Sequence, residues 1–258
     1  MNESDFGDIM RVVIIPAFNE QDALPLLVTD LMPLLTRADA VVIVDDSESS
    51  TAALTAERCA IKAGDYADRL LFVKTGTRGG RGAAVRRGLT TAARQFPNAE
   101  FFLECDADGS HRAIDISKVL ITPHGPDVVV GSRYLPESRI IGWSKSRRFQ
   151  SRLLNLIIPR MFNLQLNDIT NGLRRYSRDA VSCLLDQIAI STNFIYLTEE
   201  ALILHRSGMT FFEVPIVFEE RRAGRSSVTT RELRDSLLGL LRILLKSRTL
   251  GQATATTS

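Results

Sequence analysis

Short apolar runs alternate with longer amphipathic stretches over the first half of the chain. Runs rich in branched or aromatic residues predict strands buried on both faces, at Val12–Ile15, Val41–Val44, Leu70–Val73, Phe101–Cys105 and Val128–Val130. Apolar residues at helical spacing between these runs predict helices, at Leu24–Leu35, Ser50–Ala63, Ala83–Gln95 and Ala113–Ile121. Strands that alternate with helices predict an α/β fold, in which helices flank a parallel-rich central sheet with right-handed crossovers.

The second half of the chain is less regular. The segment 143–167 is basic at first and then strongly apolar, and it is followed by a predicted helix at Tyr196–Arg206 and a predicted strand at Phe211–Phe218. A last helix, Glu232–Lys246, has a broad leucine stripe opposite a basic and polar side. This pattern is typical of a helix at a membrane interface, on a protein core or in a dimer. We therefore expect one large domain over residues 1–227, and a C-terminal amphipathic helix with a disordered tail over residues 228–258.

Composition and charge narrow the class of protein. The 258 residues are 45% hydrophobic, and a chain of this length can form one domain with a large core. The net charge of +2 gives no broad field for a polyanion, so no nucleic-acid partner is expected. The acidic start of the chain does not fit a signal peptide, and no stretch is apolar enough to span a membrane. Three scattered cysteines indicate a reducing cytoplasm.

Two carboxylates directly follow the predicted strand at Phe101–Cys105. Side chains alternate along an extended chain, so Asp106 and Asp108 would point one way and Ala107 the other. Paired carboxylates at the C-terminal end of a strand can hold a hard divalent cation, Mg²⁺ or Mn²⁺, and open α/β sheets bind ligands at that end. The alternative is a solvated acidic turn that caps the helix beginning near Ala113.

Polar loops leave the first two strands at the same predicted edge. Pro16–Glu20 follows the first strand and Asp45–Ser47 follows the second, so both would meet the two carboxylates. Carboxylates there can accept hydrogen bonds from ribose hydroxyls or from a base, and Phe18 can lie against a base. The alternative for Asn19 and Glu20 is capping of the next helix. Two adjacent acids at the end of a buried strand repel each other unless a cation or a hydrogen-bond donor holds them.

A glycine-rich turn, Arg78–Gly82, follows the third strand. Its spacing is neither that of an NTPase phosphate loop nor that of a dinucleotide fold. We interpret it as a tight turn whose main-chain N–H groups approach an anion. The simpler alternative is a glycine turn with solvated arginines.

The ordered series of these segments resembles a known family. The series VVIIPAFNE, VVIVDDS, GGRGAAVRRG, ECDADGSH, VVVGSRY, SRRFQSRLLN, DITNGLRRY and EVPIVFEERRAGRSS runs from Val12 to Ser227. It resembles the family-2 glycosyltransferases of the GT-A fold and, among them, the dolichyl- and polyprenyl-phosphate mannosyltransferases. The resemblance implies a catalytic domain over residues 1–227 with a nucleotide-sugar donor, a divalent metal and a lipid-phosphate acceptor.

The resemblance also implies roles for individual residues. Donor binding is implied for Pro16, Phe18, Glu20, Asp45, Asp46, Asp106, Ala107 and Arg221. Metal binding is implied for Asp106, Asp108 and Ser110. The implied catalytic residues are Asp108 and the three that match the family's acceptor-phosphate positions, Arg133, Arg147 and Ser151.

Three departures from the family pattern leave the sugar and the base open. The family's D-D-G-S-x-D is here the run Asp45–Ser50, without the Gly and the third Asp. Ser227 stands where Lys is usual, and Asn171–Leu173 replaces the commoner S-G-F. GDP-mannose is the expected donor, and UDP-glucose or another nucleotide sugar is the alternative.

The charge of the acceptor sets the expected mechanism. A lipid monophosphate is already an anion near neutral pH, so its attack on the sugar needs positioning more than deprotonation. Arginine matches phosphate oxygens with a bidentate fork, and a metal would neutralise the departing nucleoside diphosphate. A single displacement would invert the anomeric configuration. The alternatives are a hydroxyl acceptor, with Asp168 or Glu199 as the base, and a nucleotide-sugar-binding regulatory module without turnover.

A lipid acceptor would place the protein at a membrane surface. Apolar residues directly follow the basic residues Arg147, Arg148 and Arg152. A basic stretch followed by an apolar one is typical of a surface that lies on anionic lipid. An ordinary solvated basic helix face would give the same pattern. We expect a peripheral protein on the cytoplasmic face of a membrane, compatible with a homodimer or a membrane-anchoring partner. The C-terminal helix is expected to take part in the membrane contact, and the alternative contact is the segment Leu153–Phe162.

Overall fold

The computed structural model describes residues 9–187 and 195–220. Its helices are α1 (Leu24–Leu31), α2 (Ser49–Ala63), α3 (Arg81–Gln95), α4 (Ala113–Leu120), α5 (Lys145–Met161), α6 (Arg178–Asp186) and α7 (Tyr196–Arg206). Its strands are β1 (Arg11–Ala17), β2 (Asp39–Asp45), β3 (Leu70–Lys74), β4 (Phe101–Glu104), β5 (Val128–Ser132), β6 (Arg139–Ile140), β7 (Arg174–Ser177), β8 (Phe211–Pro215) and β9 (Val217–Phe218). The predicted C-terminal helix, the boundary at residue 227 and Arg221 lie outside the described residues.

A seven-stranded sheet organises the chain, in the order β3-β2-β1-β4-β7-β5-β8. The first four strands pair in parallel, as do β5 and β8, which confirms the predicted α/β fold with a parallel-rich sheet. Strand β7 is antiparallel to both of its neighbours. The short strands β6 and β9 form a separate parallel pair, which we call the β6–β9 ribbon.

The sequence pattern does not predict β7, because the strand begins with two arginines. Arginine usually indicates solvent, but both Arg174 and Arg175 are buried. The Arg174 guanidinium donates to the main-chain oxygens of Ile169 (2.5 Å) and Leu197 (2.7 Å). Such hydrogen bonds offset part of the cost of burying the charge. Helix α6, which follows β7 directly, is also absent from the predicted elements.

Hydrophobic clusters cover both faces of the sheet. On one face the strands pack against α1, α2 and α4, and on the other they pack against α3, α6 and α7. Helix α3 comes close to β1 at Gly88, where a Cβ would overlap the side chain of Ile14. The glycine in the middle of this helix is therefore explained by packing.

Two predicted segments take a more detailed form. The predicted strand at Phe211–Phe218 is divided into β8 and β9, because the chain leaves β5 and pairs with β6 instead. The basic and apolar segment after Trp143 forms helix α5, whose N-cap Ser144 accepts a hydrogen bond from the Arg147 N–H (3.3 Å). Among the described residues, no helix has the length and apolar character needed to cross a membrane.

Candidate active site

The C-terminal ends of the parallel strands bring the predicted donor-binding residues to one edge of the sheet. Pro16 is buried within β1, and Ala17 at the end of this strand lies beside Asp45 at the end of β2. Strand β4 ends at Glu104, on the other side of β1. The ends of β2 and β4 and the loops after them carry the carboxylates that we call the acidic half of the site: Asp45, Asp46, Asp106 and Asp108.

Asp45 and Asp46 are held by different groups. Asp45 is fully buried, and its Oδ1 accepts a hydrogen bond from the Ser47 N–H (2.9 Å). Its Oδ2 is also buried and has no hydrogen-bond partner in the described part of the chain, so it can accept a donor from a ligand. Asp46 accepts from Thr75 Oγ1 (2.8 Å) and from the Gly79 N–H (2.9 Å). The glycine-rich turn therefore does approach an anion, and that anion is Asp46.

Phe18 lies at the rim of the acidic half. It is 37% exposed, and the Arg78 guanidinium carbon lies 4.4 Å from its ring centroid, in a cation–π contact. Asn19 has a positive φ of 58°, and its N–H donates to Ser47 Oγ (2.7 Å), which fixes the turn after β1. The N-cap of helix α1 is Ala23, which makes no side-chain capping hydrogen bond, and the Leu24 N–H donates to the main-chain oxygen of Glu20 (2.9 Å).

Ala107 separates the two carboxylates that follow β4. Its side chain is packed in the core, whereas the Asp106 side chain is 28% exposed. The prediction that Asp106 and Ala107 point to opposite sides of the chain is therefore confirmed. Ala107, an implied donor-binding residue, can therefore contact a donor only through its main chain. Asp108 Oδ1 accepts a hydrogen bond from the Ser110 N–H (3.0 Å). The N-cap of helix α4 is Arg112, which makes no side-chain capping hydrogen bond, and Asp108 is buried, so neither observation favours the alternative of a solvated capping turn.

Arg81 is a site residue that the sequence pattern does not reveal, and its side chain is 14% exposed. Its Nε and Nη2 lie 2.9 and 2.7 Å from Asp106 Oδ1, and its Nη1 lies 3.3 Å from Glu104 Oε2. Burial alone would lower the pKa of Arg81, but the nearby carboxylates outweigh it and raise the pKa. Burial would likewise raise the pKa of Asp106, but Arg81 holds that pKa below its usual value. Asp106 is therefore an ionised carboxylate, and Arg81 is not a solvated arginine.

The three residues predicted to hold a divalent cation, Asp106, Asp108 and Ser110, follow β4 closely in the chain. Ser110 Oγ is buried and without a hydrogen-bond partner among the described residues. Both nitrogens of His111 are already engaged, because Nδ1 accepts from the Asp106 N–H (3.1 Å) and Nε2 lies 2.9 Å from Asn171 Oδ1. Residues 9–187 and 195–220 contain no group of three or more His, Cys, Asp or Glu side chains arranged to hold a metal. The donors present, Asp106, Asp108 and Ser110, fit an Mg²⁺ or Mn²⁺ ion that takes its other ligands from water and diphosphate.

A buried polar network lies behind Asp106. Glu104 accepts hydrogen bonds from the hydroxyls of Tyr176 (2.7 Å) and Tyr196 (2.6 Å). Burial raises the pKa of Glu104 although Arg81 opposes the shift. Burial, together with the charge of Glu104, also raises the pKa of Glu200 to about 8. Glu104, which the two tyrosines hold in place, contacts Arg81 and so helps to position the guanidinium that binds Asp106.

Arg133 begins what we call the basic half of the site, which consists of Arg133, Arg147 and Ser151. Arg133 Nε and Nη2 donate to the two carboxylate oxygens of Asp168 (2.7 and 2.8 Å), and its main-chain N–H donates to Asp168 as well (2.9 Å). Burial alone would lower the pKa of Arg133, but the charge of Asp168 outweighs it and raises the pKa. Asp168 is thus committed to Arg133 and is not placed to act as a base on a hydroxyl acceptor.

Arg147 and Ser151 lie one turn apart on α5. The Arg147 guanidinium carbon lies 4.2 Å from the ring centroid of Trp143, and the Arg133 guanidinium carbon lies 5.2 Å from the same ring. Ser151 Oγ accepts a hydrogen bond from the hydroxyl of Tyr134 (2.7 Å), the residue after Arg133. The structure therefore brings together the three residues of the basic half.

The acidic and basic halves adjoin. The ring of His111, which binds the Asp106 N–H, lies 5.3 Å from the ring of Phe218. The Phe218 ring in turn lies 5.3 Å from the Arg133 guanidinium carbon. After burial and the larger effect of Arg81, the charge of Arg133 also contributes to the pKa of Asp106, which it lowers. One site can therefore bind a metal-bound diphosphate and, beside it, a second anion.

Helix α5 presents an apolar surface next to the basic half. We call this surface the α5 face, and its exposed apolar residues are Phe149, Leu153, Leu154, Leu156, Ile157 and Met161. Exposed arginines accompany them, at Arg148, Arg152 and Arg160. A cleft of about 530 Å³ runs along the same helix from Tyr134 to Arg160. Exposed apolar patches of this kind mark interaction surfaces.

Comparisons with known proteins agree on the family. The profile of the family described as "Glycosyl transferase family 2" matches residues 12–185. The chain is 30% identical to the undecaprenyl-phosphate mannosyltransferase of Micrococcus luteus over 248 residues, which cover 93% of this chain and 96% of the relative. It is 28% identical to the polyprenol monophosphomannose synthase of Mycolicibacterium smegmatis over 227 residues, which cover 88% of this chain and 83% of the relative.

Solved structures with the same fold are more distant in sequence. Glucosyl-3-phosphoglycerate synthase from Mycobacterium tuberculosis, solved with Mn²⁺, UDP and glucosyl-3-phosphoglycerate, has a TM-score of 0.65 at 16% identity and covers 94% of this chain and 84% of its own. Mannosyl-3-phosphoglycerate synthase from Rubrobacter xylanophilus has a TM-score of 0.60 at 20% identity and covers 97% of this chain and 76% of its own. At these identities the likeness supports the fold alone, and it confirms the GT-A prediction.

Proposed function

Because the chain belongs to glycosyl transferase family 2 and is a glycosyltransferase, we propose that it transfers a sugar from a nucleotide-sugar donor to a polyprenyl phosphate. Mannose from GDP-mannose is the sugar we propose. The observation that carries the proposal is the basic half, where Arg133, Arg147 and Ser151 converge beside the carboxylates. The mannosyltransferase and the mannose synthase that align over most of the chain support the same class of acceptor.

The acidic half binds the donor in this proposal. The unpartnered Oδ2 of Asp45 accepts a hydrogen bond from the nucleoside, and Phe18 offers a ring at the rim for a base. Asp106, Asp108 and Ser110 hold a divalent ion, which when bound supplies the charge that stabilises the departing nucleoside diphosphate. Arg221 lies outside the described residues, and its contact with the diphosphate is proposed from the family motif alone.

The basic half binds the acceptor and needs no general base. A phosphate monoester is already nucleophilic at neutral pH, so the task of the protein is to hold one of its oxygens in line with the bond to be broken. Guanidinium groups and a hydroxyl are the donors that hold phosphate well. The commitment of both Asp168 oxygens to Arg133 disfavours Asp168 as the base that would deprotonate a hydroxyl acceptor.

The α5 face is the proposed contact with the membrane, on its cytoplasmic side. An acceptor with a lipid tail keeps that tail in the bilayer, so the site has to lie at the interface. The exposed apolar residues of α5 are flanked by arginines, and that combination binds anionic lipid surfaces. The surface is next to Ser151, where the phosphate would be held.

A donor and acceptor panel tests the proposed reaction. Purified full-length protein is incubated with Mn²⁺ or Mg²⁺, with GDP-mannose or UDP-glucose, and with polyprenyl phosphate or the polyprenol of equal length. We expect a glycosylated polyprenyl phosphate, formed from GDP-mannose in preference to UDP-glucose, and no product from the alcohol. Product formed only from the alcohol would contradict the proposed acceptor, and preference for UDP-glucose would contradict the proposed sugar.

Co-sedimentation with anionic liposomes tests the membrane contact. The variant Leu153→Glu/Leu154→Glu should lose most of its liposome binding, because charges replace the centre of the α5 face. Ile61→Glu is the matched control, since Ile61 is 69% exposed on α2, away from that face. A chain that ends at Thr230 tests the predicted C-terminal helix separately. Unchanged binding of the double variant would contradict the role of α5.

A further inference from the structure

The β6–β9 ribbon places Trp143 against both arginines of the basic half. Ile140 pairs with Phe218 in this ribbon, and the Trp143 and Phe218 rings meet edge to face with 5.3 Å between centroids. The guanidinium carbon of Arg147 lies 4.2 Å from the Trp143 centroid, and that of Arg133 lies 5.2 Å from it. An aromatic face stabilises a guanidinium, so this ring allows two like charges to lie near one another.

The indole nitrogen of Trp143 is the second observation. Its Nε1 is buried and has no hydrogen-bond partner among the described residues. The indole N–H is a donor only, and a buried donor without an acceptor is costly. Two guanidinium groups beside this donor make an anion the ligand that matches it.

We propose that Trp143 is an acceptor-binding residue, which donates its Nε1–H to the phosphate held by Arg133 and Arg147. This inference rests on the proposed function, because it takes the acceptor to be a phosphate. The indole has two tasks. Its face holds the Arg147 guanidinium in place, and its edge adds a donor that neither arginine supplies.

Each arginine of the basic half also has a carboxylate partner. Arg133 is tied to Asp168, and Arg147 Nη1 lies 3.8 Å from Glu220 Oε1, so each guanidinium keeps a partly neutralising carboxylate. The ring of Trp143 contacts the arginine of each pair, and its Nε1–H is available to donate a hydrogen bond to a ligand oxygen.

The variant Trp143→Phe tests the donated hydrogen bond, because it keeps an aromatic ring and removes the N–H. We expect the KM for polyprenyl phosphate to rise about twentyfold, the loss typical of a hydrogen bond to a charged group, with the KM for the nucleotide sugar unchanged. Trp143→Leu should raise the acceptor KM about threefold further, since it also removes the aromatic face. Tyr66→Leu is a matched control, because it removes a ring that stacks on Arg69 near the start of β3, away from the site.

Direct binding supplies a readout that is independent of sugar transfer. Trp143 is the single tryptophan of the chain, so the intrinsic tryptophan emission reports on this indole alone. We expect farnesyl phosphate to change the emission in a saturable way, and we expect farnesol at equal concentration to leave it unchanged. Arg147→Ala should weaken the farnesyl phosphate response.

The outcomes separate the inference from the proposed function. An unchanged acceptor KM in Trp143→Phe, an equal rise in both KM values, or an equal emission response to farnesol and farnesyl phosphate would each overturn the role of Trp143. If farnesyl phosphate binds at Trp143 but polyprenyl phosphate is not glycosylated, the proposed function fails and the anion site stands. If transfer occurs and Trp143→Phe is unaffected, the function stands and the inference fails.

Discussion

The acidic and basic halves of the site are built in different ways. The carboxylates of the acidic half lie at or directly after the ends of β2 and β4, and main-chain N–H groups or Arg81 hold Asp46 and Asp106. The charges of the basic half lie on a loop and on α5, and an aromatic ring connects them. All carboxylates of the acidic half therefore lie at or near strand ends, whereas in the basic half only Arg133 follows a strand, β5, and Arg147 and Ser151 lie on α5.

This difference bears on how each half responds to mutation. A carboxylate at a strand end can be removed without moving the sheet, so its loss should appear in chemistry and in donor binding. In the basic half, Arg133 is paired with Asp168 and Arg147 is stacked on Trp143, so a change in one residue affects its neighbours. Substitutions at four places in the molecule test this contrast.

The largest effect is expected at the acidic half. Asp108→Ala removes a proposed metal ligand, and we expect kcat to fall about a thousandfold or more, because the departing diphosphate is no longer stabilised. Thermal unfolding should be nearly unchanged. Asp65→Asn, an exposed carboxylate before β3, is the matched control and should keep full activity. Full activity of Asp108→Ala in excess chelator would rule out the metal.

The next effect is expected at the basic half. Arg147→Ala/Ser151→Ala removes two phosphate donors, so the KM for polyprenyl phosphate should rise on the order of a hundredfold. The KM for the nucleotide sugar should stay within about twofold. Initial rates measured with each substrate varied in turn give the two values. A loss confined to the nucleotide sugar would place these residues at the donor instead.

A smaller effect is expected at Gly172, which lies next to the arginine that binds Asp106. A Cβ on Gly172 would overlap the guanidinium of Arg81 and push it away from Asp106. We expect Gly172→Ala to lower kcat about tenfold through this displacement, which corresponds to roughly 1.4 kcal/mol. Arg81→Lys, which keeps the charge but loses the fork, should give a similar loss. Wild-type kcat in both variants would show that Arg81 does not position Asp106.

The smallest effect on activity is expected at Asp127. This residue lies just before β5, at the end of the strand that is opposite to the site. Burial alone would raise the pKa of Asp127, but hydrogen bonds from Thr210 and Ser177 outweigh it and lower the pKa. The ionised carboxylate therefore stabilises the folded protein above its unfolded pKa, and this stability is lost as pH falls through the lowered folded value. Asp127→Asn should cost about 1 kcal/mol at pH 7.

Two measurements check the Asp127 prediction. In denaturant unfolding at a series of pH values, stability of Asp127→Asn should fall less steeply than that of the wild type between about pH 5 and pH 3. Its kcat and both KM values at pH 7 should equal those of the wild type. A clear kinetic effect would mean that this edge of the sheet communicates with the site.

The sequence predicts the acidic half better than the basic half for a physical reason. Buried strands give local apolar runs, and the carboxylates of Asp45 and Asp106 lie at or just past the end of one. Parallel strands then bring those ends to one edge of the sheet. The predicted places of the first four strands are therefore confirmed, and so is the placement of Ala107 on the side of the chain opposite Asp106.

Contacts between distant segments leave little trace in a local pattern. The sequence offers solvated arginines in the glycine-rich turn only as an alternative and assigns no role to Arg81, whose side chain is 14% exposed and paired with Asp106 and Glu104. The pairing of Arg133 with Asp168 joins residues 35 positions apart. The sequence pattern does not predict strand β7, because Arg174 is buried through hydrogen bonds to main-chain oxygens, which hydrophobic periodicity does not record. Gly172 is a sequence feature that is related to the position of Arg81, because a side chain at Gly172 would occupy the space of the Arg81 guanidinium.

The most direct test of the two-part site is a pair of binding measurements on two isosteric or near-isosteric variants. Calorimetric titrations of Asp108→Asn and Arg147→Gln with GDP-mannose plus Mn²⁺, and separately with a short-chain polyprenyl phosphate, give four dissociation constants to compare with the wild type. We predict that Asp108→Asn weakens binding of the nucleotide sugar at least tenfold and leaves binding of the lipid phosphate unchanged. Arg147→Gln should weaken binding of the lipid phosphate at least tenfold and leave binding of the nucleotide sugar unchanged. Equal weakening of both ligands by either variant would contradict the separation of the site into a donor half and an acceptor half.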